Sequence, residues 1–184
     1  MSAHAAVPRL RRAPLLGMAL FIASESVFFL TIVMAYIALR PGALETARAE
    51  LDIGLTFVFS LFLFSSSATM TLADRRGSRR WLAITWLLGA AFLGGQGLEY
   101  LRLLGSGIAP SSGQFGTIFF TLTGLHALHV LVGLAAIAAL LVVVARRPSR
   151  VAPTAWESVG WYWHFVDGVW VIVFSVVYLG TLLG

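Results

Sequence analysis

Cysteine and lysine are both absent from this 184-residue chain, and only 11% of its residues are charged. The absence of cysteine excludes disulfides, thiolate metal sites, iron–sulfur clusters and thiol nucleophiles, which leaves His, Asp and Glu as metal ligands. Soluble domains carry about one quarter charged residues. Here 59% of the residues are hydrophobic, and the mean hydropathy is +0.88. These values predict an integral membrane protein.

Five apolar segments are long enough to cross a bilayer as helices, which takes about 20 residues. Their approximate ranges are 15–39, 53–73, 81–104, 115–145 and 157–183. The connections between them are too short to fold alone, and the sequence shows no internal repeat. We therefore predict an all-α bundle of five transmembrane helices that forms a single membrane domain over residues 1–184. The first segment exceeds the about 7 to 15 apolar residues of a signal peptide, so we expect it to remain as a helix.

The thirteen basic residues, all arginine, are distributed unevenly along the chain. Three lie before the first span, four in the second connection and three in the fourth, whereas the opposite side has Arg40, Arg48 and Arg102. By the positive-inside rule, the N-terminus is predicted to be cytoplasmic and the C-terminus outside. Because the charge is explained by topology, it does not indicate a nucleic-acid partner.

Small residues within the third and fourth spans predict close helix contacts. Gly89 and Gly94 lie in the third span, and Gly133 and Ala136 lie in the fourth. Small side chains let helix backbones approach one another in membranes. We expect these positions to include a face that contacts another membrane protein.

Ionisable residues also occur inside the spans, where they are costly unless they have partners. At about 1.5 Å per residue, Glu25, His129, His164 and Asp167 reach overlapping depths, with His126 near the middle of the bilayer. We expect these five residues to form one buried polar cluster. Glu99 and Arg102 lie one helical turn apart near the outer boundary and are predicted to pair.

Three kinds of site are compatible with the cluster. Histidines and carboxylates three residues apart resemble the ligands of a di-iron site, but the second acidic and histidine motifs are missing. Histidines of the fourth and fifth spans could ligate a haem, with Gly124 and Gly133 giving space. A hydrogen-bonded, proton-buffering cluster needs no cofactor, and the residues alone favour it. A self-contained haem or di-iron redox enzyme and a proton-conducting transporter remain as alternatives.

Four motifs on four spans resemble a known family. They are Ser24-Glu25, Gln96-x-x-Glu99-Tyr100, Gly124-x-His126-x-Leu128-His129 and Trp161-Tyr162-Trp163-His164-Phe165-Val166-Asp167. The chain resembles subunit III of the haem-copper terminal oxidases from about Leu15 onward. The two extra N-terminal helices of the family's long form are absent, so it is similar to the five-helix form.

The resemblance implies an accessory, multi-pass subunit of the bacterial inner membrane. Such a subunit has no catalytic residues and binds no haem, copper or other metal, because the partner subunits carry the cofactors. Its implied partners are catalytic subunit I, subunit II and membrane phospholipids, and its implied role is to support oxygen reduction and proton pumping. The aromatic motif of the fifth span favours a cytochrome c oxidase. A quinol oxidase subunit or a nitric oxide reductase accessory protein is the alternative.

Overall fold

The computed structural model describes residues 6–147, 149 and 151–183, and nearly all of them are helical. Arg150, one of the arginines used to predict topology, lies outside these residues. The elements in chain order are α1 (Ala6–Leu39), a 3₁₀ turn (Arg40–Gly42), α2 (Leu44–Glu50), α3 (Ile53–Arg76), α4 (Arg79–Gly105), α5 (Gln114–Arg146), α6 (Pro153–Phe174), a π-helical turn (Ser175–Leu179) and α7 (Gly180–Leu183).

Five of these helical segments are long and apolar enough to cross a membrane, as predicted. The last, formed by α6, the π-helical turn and the start of α7, occupies the centre of the bundle. It packs against α1, α3 and α5, while α4 packs between α3 and α5. In its most apolar stretch 56% of the residues are buried, against 11% in α1. The aromatic sequence of α6 therefore forms the core, and α1 lies at the edge.

Local sequence signals define both ends of α3. Asp52 caps the start of α3 by accepting a hydrogen bond from the Leu55 N–H at 2.9 Å. Gly77 ends α3 in a left-handed conformation (φ 56°), which glycine adopts without steric cost. The short helix α2 was not predicted, because seven residues of mixed polarity give no transmembrane signal.

The indole of Trp163 fills a slot between two of the predicted small residues. A Cβ added at Gly89 would lie 2.6 Å from this ring, and one added at Gly133 would lie 2.8 Å from it. These glycines therefore admit a side chain of the same subunit, which corrects the expectation that they face another protein. Gly94 differs, because a Cβ there would meet no atom within 4 Å.

Candidate functional site

Glu25 on α1 and His129 on α5 form a contact at the edge of the bundle. Glu25 Oε2 lies 3.2 Å from His129 Nε2, and these side chains are 22% and 15% exposed. His129 Nδ1 lies 2.8 Å from the Leu125 carbonyl oxygen, to which only a protonated nitrogen can donate. The remaining ring nitrogen, Nε2, faces the Glu25 carboxyl at hydrogen-bond distance.

His126, one turn before His129, lies in the centre of the bundle. Its ring is fully buried, stacks on Trp170 with 4.8 Å between ring centroids, and meets the edge of Phe92 at 6.0 Å. Neither ring nitrogen has a hydrogen-bond partner within the described residues. His126 is therefore a packed aromatic group, separated from the Glu25–His129 pair.

His164 and Asp167 lie one turn apart on α6, where it packs against α3. His164 is exposed at the bundle surface, with Nδ1 2.6 Å from Ser67 Oγ and Nε2 3.5 Å from Thr71 Oγ1. Asp167 is only 6% exposed. Neither of its carboxyl oxygens has a hydrogen bond of good geometry to the part of the chain that the structure describes.

The structure thus divides the predicted five-residue cluster into separate sites. Only Glu25 and His129 contact each other directly, whereas His126 faces Trp170 and His164 faces α3. The rise per residue gives the depth of a side chain along the bilayer normal but not its direction around the helix axis. Residues three positions apart differ by about 60° around that axis, so they can contact different neighbouring helices.

The predicted pair of Glu99 and Arg102 is replaced by two other interactions. Glu99 is 2% exposed and accepts hydrogen bonds from the hydroxyls of Thr56 and Tyr178, the latter at 3.0 Å. Arg102 lies on the exposed side of α4, where its guanidinium is 3.2 Å from the Asp52 carboxylate. Glu99 and Arg102 thus both contact Asp52, Glu99 through the Asp52 backbone N–H at 3.4 Å and Arg102 through the Asp52 carboxylate, but they do not bond to each other.

The predicted polar cluster did not include the hydroxyl groups of α3, which are hydrogen-bond partners of side chains on α4 and α6. Ser60 Oγ accepts from Trp170 Nε1 at 2.8 Å, and Ser66 Oγ accepts from Trp163 Nε1 at 2.9 Å. Together with Thr56, Ser67 and Thr71, they give the polar groups of α4 and α6 hydrogen-bond partners. The signal was present in the sequence as two pairs of hydroxyl residues four positions apart, Thr56 with Ser60 and Ser67 with Thr71, although this spacing also fits simple helix packing.

The positions of the histidines test the haem and di-iron interpretations. His129 is directed to Glu25 at the α1–α5 contact and His164 to Ser67 at the α3–α6 contact, while His126 packs against two aromatic rings. A bis-His haem needs two imidazoles that face each other across a cavity. Among the described residues no three His, Asp or Glu side chains are grouped to hold a metal ion. This geometry favours hydrogen-bonded sites over ligand sets.

Comparison with known proteins identifies the family. The family model for cytochrome c oxidase subunit III matches residues 5–181. Cytochrome c oxidase subunit 3 of Corynebacterium diphtheriae is 36% identical over 177 residues, which cover 88% of this chain and 85% of the relative. The Synechocystis protein of the same name is 36% identical over 189 residues, which cover 96% and 78% of the two chains. The chain belongs to the cytochrome c oxidase subunit III family.

Proposed function

We propose that this chain is the accessory subunit III of a bacterial aerobic cytochrome c oxidase. Membership of the family implies a complex with other oxidase subunits, and the family match over residues 5–181 carries the proposal. The subunit docks on catalytic subunit I, together with subunit II, in the inner membrane. The partner subunits hold the haem and copper, and this chain supports their oxygen reduction and proton pumping.

Two apolar grooves support the proposal that phospholipids bind this subunit. One groove of about 440 Å³ runs between α1 and α6 and is lined by Ser26, Phe29, Leu30, Val33, Phe165, Gly168, Val169 and Ile172. Another of about 550 Å³ lies between α4 and α5. Their walls offer mostly hydrocarbon, which suits acyl chains better than a polar ligand.

The names of the relatives indicate the electron donor of the whole complex. Those from Corynebacterium diphtheriae, Synechocystis and Thermostichus vulcanus are all called cytochrome c oxidase subunit 3, at 35–36% identity. This favours cytochrome c over quinol as the donor to the whole complex.

The visible spectrum of the purified chain separates this function from a self-contained haem enzyme. We expect the full chain, expressed without partner subunits, to show no Soret band and no stoichiometric iron or copper. The native complex should show the haem bands of its catalytic subunit. A Soret band that accompanies the isolated chain and disappears in His126→Ala or His129→Ala would overturn the proposal.

A further inference from the structure

The groove between α4 and α5 is open at the surface of the bundle. It has a volume of about 550 Å³ and is lined by Trp86, Ala90 and Gly94 on α4 and by Leu131, Ala135 and Ala138 on α5, among others. Gly94 and Ala135 are exposed. A Cβ added at Gly94 would meet no atom within 4 Å, so this wall is free of the subunit's own side chains. The groove therefore offers a hydrocarbon surface to a neighbour in the membrane.

Trp86 lies at the end of the groove nearest the arginine-rich connections. Its indole Nε1 donates a hydrogen bond to the Leu134 carbonyl oxygen at 3.2 Å, so the ring bridges α4 and α5. Arg79 is the first residue of α4. At about 1.5 Å per residue, the groove from Trp86 to Gly94 lies about 10 to 22 Å below Arg79. One leaflet contributes about 15 Å of hydrocarbon, so the groove runs beside its acyl chains toward the middle of the bilayer.

Two arginines lie on the groove-facing sides of the same two helices. Successive residues of a helix are rotated by about 100°, which places Arg79 within about 20° of Trp86 and Ala90 around α4. By the same geometry Arg146, the last residue of α5, lies within about 20° of Ala135. Both arginines are exposed, and the ion pairs among the described residues involve other side chains. The groove therefore has two cations without a carboxylate partner at its membrane-surface end.

The start of α4 also favours an anion at this end of the groove. The side chain of Ser78, which precedes the helix, does not cap it. The first N–H groups of a helix have no partner inside the helix, and together with the helix dipole they attract negative charge. These N–H groups and the Arg79 guanidinium are on the same turn.

We propose that the groove between α4 and α5 binds an anionic phospholipid, with its phosphate near Arg79 and Arg146 and an acyl chain along Trp86 and Gly94. This site rests on the phospholipid binding proposed above and adds the charge of the headgroup and the residues that select it. A phosphate neutralises the arginines, whereas an apolar helix of a partner subunit would cover the groove and leave them without a counter-charge. A zwitterionic lipid carries its own cation and offers the arginines less net charge.

Quenching of Trp86 fluorescence by brominated lipids tests the site in the full chain. The chain is reconstituted in phosphatidylcholine vesicles that contain a minor fraction of either phosphatidylglycerol or phosphatidylcholine with brominated acyl chains. Because the chain has six tryptophans, the signal lost in Trp86→Phe identifies the contribution of Trp86. We expect brominated phosphatidylglycerol to quench this contribution at a several-fold lower fraction than brominated phosphatidylcholine.

Arg80 provides the matched control for Arg79, because it lies about 100° away around α4. Arg79→Gln and Arg146→Gln should each weaken the preference for phosphatidylglycerol by about fivefold, which corresponds to about 1 kcal/mol per arginine at a membrane surface. Arg80→Gln removes the same charge and should keep the preference of the parent chain, as should Arg79→Lys. Equal effects of Arg79→Gln and Arg80→Gln, or equal quenching by the two lipids in the parent chain, would overturn the site.

Two further measurements separate the acyl chain from the headgroup and the lipid from a partner helix. Gly94→Leu places a side chain in the groove without a clash and should lower the quenching of Trp86 by both lipids. In the native complex, the phosphatidylglycerol retained per chain, counted by mass spectrometry, should fall by one in Arg79→Gln and stay constant in Arg80→Gln. Equal retention in these two variants is expected if a partner helix covers the groove, and it would overturn the lipid site.

The vesicle measurements use the chain without its partner subunits. Their failure would therefore remove this lipid site and leave the accessory function standing, whereas the accessory function fails only if no haem-containing subunit co-purifies with the chain.

Discussion

A side-chain contact links Glu25 on α1 to His129 on α5. The bond from His129 Nδ1 to the Leu125 carbonyl oxygen fixes which ring nitrogen faces the carboxyl. Each side chain gives the other a polar partner near the surface of the bundle, which lowers the cost of placing ionisable groups there. At the scale of single residues, Glu25 is therefore a hydrogen-bonding partner that holds α1 to the bundle.

Substitutions of Glu25 distinguish loss of the hydrogen bond from loss of the acid. Glu25→Gln keeps an N–H donor for a neutral His129, so insertion, assembly and initial oxidase activity should stay near normal. Glu25→Ala leaves Nε2 without a partner and should destabilise the packing of α1 by about 1 to 3 kcal/mol. Unfolding in detergent measures the difference in stability between each variant and the parent chain.

Ser26→Ala is the matched control for Glu25→Ala. Ser26 bonds only to the Ile22 carbonyl oxygen of its own helix, so its removal should change little. Immediate loss of all oxygen reduction in Glu25→Gln would show instead that Glu25 takes part in the reaction.

At the scale of helices, α3 stabilises α6 by satisfying its indole N–H groups. Ser60→Ala or Ser66→Ala leaves a buried indole N–H of Trp170 or Trp163 without its acceptor. Each change should lower the free energy of unfolding by about 1 kcal/mol, since hydrogen bonds between membrane helices contribute about 0.6 kcal/mol on average and up to about 1.7. Ser65→Ala on the exposed side of α3 is the control, and an equal effect there would contradict this role.

The slot around Trp163 gives a second prediction at this scale. Gly133→Leu forces its side chain against the Trp163 ring and should destabilise the chain by about 1 to 3 kcal/mol. Gly94→Leu enters open space and should leave unfolding unchanged. If both variants unfold alike, the Trp163 ring does not determine the packing at Gly133.

These elements show how far the sequence alone could specify the fold and the sites. Span length and hydropathy were sufficient for the five long helices, and depth arithmetic was sufficient to bring Glu25 near His129. The contacts of the His126 and His164 side chains depend on which helices pack beside α5 and α6. That packing is set by tertiary structure and could not be predicted from the sequence. For the same reason, Gly133 could be predicted as a close contact but not as a slot for Trp163.

At the scale of the whole molecule, two of the three arginines on the side predicted to be outside, Arg48 and Arg102, make structural contacts. Arg48 Nε donates to the Thr181 carbonyl oxygen at 2.8 Å, which satisfies the C-terminal end of the last span. Arg102 pairs with Asp52 at the start of α3. These contacts explain why Arg48 and Arg102 lie on the side with few arginines. The prediction of orientation from the uneven arginine distribution is therefore unchanged.

The orientation can be measured directly because the native chain has no cysteine. Ser106→Cys follows α4, and Ser149→Cys lies in the connection between α5 and α6. A membrane-impermeant maleimide should label Ser106→Cys in cells whose inner membrane is intact and Ser149→Cys only after that membrane is permeabilised. The reverse pattern would invert the predicted topology.

Co-purification of the native complex tests the accessory function most directly. The tagged chain is extracted from its own membranes in a mild detergent, and its partners are identified by mass spectrometry together with a visible spectrum. We expect a haem- and copper-containing catalytic subunit to elute with the chain in a fixed ratio, and the haem signal to follow that partner when the complex is dissociated. A chain that elutes without any haem protein, or that retains the haem itself after dissociation, would contradict the account.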